Sequence, residues 1–105
     1  MNKNTLIKNF ANSTPSLGVW LGIPSVHTVR LLARLPLDFM IIDMEHAPTT
    51  LETMVGMVAA MREVPDGPAP IVRLSQASAE NIKWALDAGA VGIIAPMINS
   101  GEEAA

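Results

Sequence analysis

Residues 39–50 read FMIIDMEHAPTT. Four apolar residues run straight into Asp43, Glu45 and His46, and a proline and two threonines follow. An unbroken apolar run of this kind suits a strand covered on both faces, as in a parallel sheet. Thr49 and Glu52 stand at the T-x-x-E spacing of a capping box, so the same stretch also predicts the start of a helix. A strand, a polar turn and a helix start in so short a span make one βα unit.

Three further apolar runs, at 17–21 (LGVWL), 71–74 (IVRL) and 91–95 (VGIIA), predict three more strands. Helical segments separate them. The clearest covers 49–64, where Leu51, Met54, Val55 and Val58 recur at helical spacing and Pro65, Asp66, Gly67 and Pro68 end it. Ser78 can cap another over 79–88, with Ile82, Ala85 and Leu86 on one face and Gly89 at its end. A third spans 25–35 and stops at Pro36, and residues 5–11 suggest a short leading helix. The order β-α-β-α-β-α-β leaves two architectures open, a doubly wound sheet and a (β/α)8 barrel.

The far end of the sequence bears on that choice. Asn99 or Ser100 can cap a helix whose first turn holds Glu102 and Glu103, and the sequence stops at Ala105. A helix that starts and has no body is what a cut leaves behind. A barrel takes about 200 residues or more. The expectation is one domain over residues 1–105, an apparently truncated N-terminal half of a (β/α)8 TIM barrel holding four βα units.

Composition narrows the function classes. Half of the 105 residues are apolar and 16% are charged, a globular balance. A formal charge of −3 offers no basic footprint for nucleic acid. With no cysteine there is no disulfide framework and no thiolate metal site. No apolar run is long enough to cross a membrane, and residues 1–15 lack the apolar core and cleavage site of a signal peptide, so a soluble cytoplasmic protein is expected. Neither a G-x-G-x-x-G nor a P-loop pattern is present around Gly18 or Gly22.

In either parallel architecture functional groups collect at the carboxyl ends of strands. Asp43, Glu45 and His46 stand just past the second strand and Arg73 at the end of the third. Strand alternation puts Asp43 and Glu45 on the same side. One imidazole, two carboxylates and a guanidinium sharing a rim suit proton abstraction beside an oxyanion, with Arg73 neutralising a carboxylate or enolate. The plainer alternative is that Asp43 and Glu45 cap the loop, His46 faces water and Arg73 is an ordinary ion-paired or solvated arginine on an edge. Asp87 opposes the macrodipole at the end of its helix, for which a weak pairing with Lys83 is the structural account. His27 reads as a solvent-facing helix residue, and the seven methionines, among them Met54, Met57 and Met61, as core filler.

The ordered segments LGVWLGIPS, FMIIDMEHAP, PIVRLS and IKWALDAGAVGIIAPMI resemble the HpcH/HpaI aldolase family from about residue 5 onward. The resemblance implies a (β/α)8 barrel and a class II aldolase that cleaves a 4-hydroxy-2-oxo acid to pyruvate, or a close relative, plus an aldehyde, in aromatic or sugar-acid catabolism. A Mg²⁺, Mn²⁺ or Co²⁺ ion holds the 2-oxo acid in that family, on a glutamate and an aspartate from later strands, which places the metal ligands beyond Ala105. By motif, His46 is implied as the base and Arg73 as the transition-state stabiliser. Asp87 is implied as the acid that raises the basicity of His46, and Asp43 as a residue ordering the loop around it. Glu45 belongs to the signature without an implied step. A helix after a barrel strand runs back to the bottom, so either that helix is shorter or displaced, or the Asp87 pairing crosses a subunit boundary in a homo-oligomer, often a hexamer in this family. A citryl- or malyl-CoA-type lyase shares the enolate strategy, and a non-catalytic half-barrel serving binding or assembly is the alternative from another class. The piece alone, with open edges and an uncovered interior, is expected to be neither active nor soluble.

Overall fold

The computed structural model describes residues 5–105 and resolves the choice of architecture through the order of its strands. β1 (Gly18–Leu21), β2 (Phe39–Asp43), β3 (Ala69–Arg73) and β4 (Gly92–Ile94) form one parallel sheet in the order β1-β2-β3-β4. A doubly wound sheet reverses direction at a switch point; here each strand is added beside the one before, as staves follow one another round a barrel. The chain is thus a partial (β/α)8 barrel of four βα units. Helix α1 (Thr5–Ala11) precedes β1, and α2 (Val26–Leu32), α3 (Leu51–Arg62), α4 (Ala79–Asp87) and α5 (Gly101–Ala104) each follow a strand.

Register sorts the strand residues onto two faces. Trp20 is level with Ile41, Ile71 and Gly92, and Asp43 with Arg73 and Ile94. Because side chains alternate along a strand, these residues share one face and Leu21, Met40, Ile42, Val72 and Ile93 share the other. The second set is the core. It packs with Val29 and Ala33 from the α2 region, Met54, Met57, Val58 and Met61 of α3, and Ala85 of α4. The first set lines the concave side of the partial barrel, the side that carries the polar groups at its carboxyl end. At its amino end the Phe39 ring lies over Gly18, where a Cβ would overlap the ring, so glycine there is a packing requirement.

Helices α2 to α5 open by one device: the hydroxyls of Ser25, Thr50, Ser78 and Ser100 accept from the backbone N–H three residues on. The predicted capping box is corrected here, since the α3 cap is Thr50, not Thr49. Pro48 and the bond from the Thr49 N–H to the Ala47 carbonyl hold the chain in a turn one residue longer than the motif implies. Thr49 is instead buried, and its hydroxyl finds no partner among the described residues. The apolar stripe of α3 also differs: Met54, Met57, Val58 and Met61 are buried while Leu51 and Val55 are exposed. On α4, Ala85 is buried and Leu86 is half exposed.

α2 ends at Leu32, earlier than the predicted 25–35, with Ala33 as its C-cap, and Pro36 further on disfavours helical geometry at Leu35. β3 begins at Ala69, two residues ahead of the predicted 71–74, and takes in Pro70, whose carbonyl accepts from the Val91 N–H. Four of the methionines fill the core as expected, but Met97 is exposed, with a positive φ of 58°. Residues 1–4, including Met1, lie outside the described residues.

Candidate active site

Asp43 ends β2 on the concave face and is only 5% exposed. Its Oδ1 accepts from the backbone N–H groups of Glu45, at 3.0 Å, and His46, at 3.1 Å. Those bonds fold the chain back immediately after the strand, as short acidic side chains do at turns. The same carboxylate receives Arg73, which stands level with it on β3: Nε donates to Oδ1 at 3.0 Å and Nη2 to Oδ2 at 2.5 Å. Arg73 sits on an inner strand, not on an edge as the plainer alternative supposed. The loop-capping and ion-pairing readings are both realised, and they meet in one carboxylate.

The electrostatics follow from that geometry. The Arg73 guanidinium holds the Asp43 carboxyl well below the usual carboxylate range; burial pushes the other way, and the N–H groups of His46 and Glu45 add to the lowering. Arg73 is in turn raised by Asp43. The Trp20 ring lies 4.7 Å from the guanidinium carbon, a cation–π distance, and closes one face of the plane. With Nε and Nη2 committed to the fork, Nη1 has no partner among the described residues.

Glu45 joins the two halves. Its Oε1 is 3.1 Å from His46 Nε2 and its Oε2 is 3.6 Å from Arg73 Nε. The His46 side chain is 68% exposed, Glu45 20% and Arg73 21%, so the imidazole projects from the rim while its partners sit lower. The sequence placed Asp43, Glu45, His46 and Arg73 at one strand-end rim, and the structure brings them together. It does not bring Asp87 there. Asp87 ends α4, whose following residues return to the amino end of the sheet, where the Val91 N–H reaches the Pro70 carbonyl. Asp87 lies there beside Glu80, Lys83 and Trp84. Sequence reasoning missed Trp20, whose reach over Arg73 depends on strand register, and missed the contact between Glu45 and His46.

Beside the cluster, at the carboxyl ends of β3 and β4, an open hollow of about 390 Å³ is lined by Ser75, Gln76, Ala77, Pro96, Met97, Ile98 and Glu103. Asn81 shapes its wall by donating to the Ser75 hydroxyl and the Gln76 carbonyl. Among the described residues no three His, Asp or Glu side chains come together as ligands for a cation. Asp43 is already neutralised by Arg73, so this cluster does not fit a divalent ion. It can hold an anion, offer N–H donors to an oxygen that gains charge, and present an imidazole beside it.

Comparison with known proteins gives this geometry a context. The model of the HpcH/HpaI aldolase/citrate lyase family matches residues 16–105. A 4-hydroxy-2-oxo-heptane-1,7-dioate aldolase of Salmonella paratyphi C is 33% identical over 102 residues, covering 97% of this chain and 38% of its own length. The crystal structure of an HpcH/HpaI aldolase/citrate lyase family protein from Burkholderia cenocepacia superposes with a TM-score of 0.89 at 30% identity, over 97% of this chain and 40% of that one. A citrate synthase, SbnG, superposes with a TM-score of 0.84 at 29% identity, over 95% and 40%. The chain therefore spans about two fifths of the length of these relatives.

Proposed function

Because the chain belongs to the HpcH/HpaI aldolase/citrate lyase family, we propose that its full-length protein is a carbon–carbon lyase cleaving a 4-hydroxy-2-oxo acid to pyruvate, or a related 2-oxo acid, and an aldehyde. The observation that carries this reading is the Arg73–Asp43 fork with an imidazole on the same rim. His46 takes the proton of the 4-hydroxyl, the bond between C3 and C4 breaks, and the electron pair passes into an enolate of the 2-oxo acid. Arg73 offers the N–H groups of Nη1 to the oxygen on which that charge develops, held in plane by Asp43 and Trp20. Asp43 touches no substrate in this scheme; it fixes the arginine and the turn that carries His46.

The divalent ion expected of such an aldolase, Mg²⁺, Mn²⁺ or Co²⁺, polarises the 2-oxo acid when bound. The resemblance puts its ligands, a glutamate and an aspartate, on later strands than those described here. Asp87 reaches an imidazole only from another copy of the chain, which fits a homo-oligomeric protein.

The test is release of pyruvate from a 4-hydroxy-2-oxo acid by full-length protein with Mg²⁺ or Mn²⁺, followed through lactate dehydrogenase. His46→Ala should slow it about 10²–10⁴-fold. Undiminished activity in that variant removes His46 as the base, and undiminished activity in EDTA removes the metal. The likeness to a citrate synthase favours a second reading, in which an enolate adds to a carbonyl to form a tricarboxylate or a related citryl- or malyl-type product. Product analysis in both directions separates the two. A chain that binds neither 2-oxo acid nor metal is a non-catalytic module.

A further inference from the structure

β3 and β4 stay paired as far as the rim, where the Leu74 N–H reaches the Ile94 carbonyl at 3.0 Å, and then part. The hollow opens in the gap, with Ser75 and Gln76 on the β3 side and Met97 and Ile98 on the β4 side. Arg73 lies two residues before Ser75, so the hollow adjoins the guanidinium that acts in the proposed reaction. We infer that this hollow receives the aldehyde portion of the substrate and that Met97 is its specificity-determining wall, favouring an unbranched aliphatic chain. The inference rests on the aldolase reading and names a substrate class for it.

Among the described residues only Ser13, Asp66 and Met97 hold a positive φ without being glycine. Ser13 and Asp66 are short and polar and stand in turns. Met97 is long and apolar, and at φ 58° its Cβ is crowded by its own backbone. Its neighbours hold the turn, not its thioether. The Asn99 amide donates to the Met97 carbonyl at 3.2 Å, the Asn99 N–H to the Glu103 carboxylate at 2.8 Å, and the Glu103 N–H to the Ser100 hydroxyl at 3.1 Å. Glycine could take the same turn without that crowding. The Met97 side chain is 79% exposed and has no part in the described core, so neither the turn nor the core accounts for a methionine here. Its place on the hollow does. A flexible, polarisable side chain there gives an incoming aliphatic chain a surface to lie along, and it narrows the space left for a branch beside the carbonyl. At about 390 Å³ the hollow stands at the small end of ligand pockets, where one methylene more or less is felt.

The experiment is condensation of pyruvate with butanal and with 2-methylpropanal by full-length protein in Mn²⁺, for wild type, Met97→Leu and Met97→Gly, with a thermal melt of each. Wild type and Met97→Leu should favour butanal. Met97→Gly should move the ratio of kcat/KM for the two aldehydes toward 2-methylpropanal about tenfold or more, with KM for pyruvate unchanged. It should also melt at or above the wild-type temperature, because glycine takes a positive φ freely. An unchanged ratio in active Met97→Gly overturns the inference and leaves the lyase reading standing. A lower melting temperature for Met97→Gly overturns it too, since the side chain then packs within the fold, against later strands of the barrel. So does a wild type that cleaves a 4-hydroxy-2-oxo acid yet condenses neither aldehyde. Wild-type protein that neither cleaves nor condenses overturns the function reading and this inference with it.

Discussion

Asp43 serves the chain through one carboxylate in two ways, shaping the turn that carries His46 and seating Arg73. Its pKa is lowered, so the unfolded chain binds a proton at a pH where the folded chain does not. The stability it contributes is fully present above the ordinary carboxylate pKa of about 3.9 and is lost as pH falls toward the lower folded value. Asp43→Asn should be less stable than wild type at pH 7, and the gap should narrow below about pH 4; denaturant melts across that range measure it. For Arg73 the fork matters more than the charge. Arg73→Lys keeps a cation but cannot donate two parallel bonds to Asp43 and still present a free edge. Its kcat should fall about 10²–10³-fold, the scale of losing an oxyanion donor.

Among the elements, the two threonines before α3 make opposite predictions. Thr50→Ala removes the cap and should cost about 1 kcal/mol, while Thr49→Val removes a buried hydroxyl without a partner among the described residues and should be neutral or stabilising in thermal melts. The sequence alone points to the wrong one of the pair, since the T-x-x-E spacing is met by Thr49 and only the turn after Pro48 moves the cap along. Much else was legible. Four apolar runs became four strands, and Asp43, His46 and Arg73 were found because a strand end can be read from where a run turns polar. What stayed hidden depends on three dimensions. Register, which lays Trp20 over Arg73, leaves no trace in a run that is apolar at every position. The buried stripe of α3 was hidden too, because apolar residues on that helix, Leu51 and Val55 among them, also stand outside the core. Asp87 stands in a recognisable motif, but a helix that reverses direction carries it away from the rim.

At the scale of the whole molecule, β1 and β4 each pair on one side only among the described residues, and the concave face holds Trp20, Ile71 and Ile94 incompletely covered. A polypeptide of residues 1–105 made by itself should self-associate through those edges and release no pyruvate; size-exclusion chromatography and the coupled assay check both. A monodisperse monomer would contradict it. The division of each strand between two faces has one more consequence. Met40, Ile42 and Val72 hold the helices, while Ile41, Asp43, Ile71 and Arg73, their immediate neighbours in sequence, face the concave side. On the proposed reading, substrate preference and fold are written in interleaved letters of the same short words. Evolution, or a combinatorial library, can rewrite every second letter in search of new chemistry while the letters between them keep the architecture.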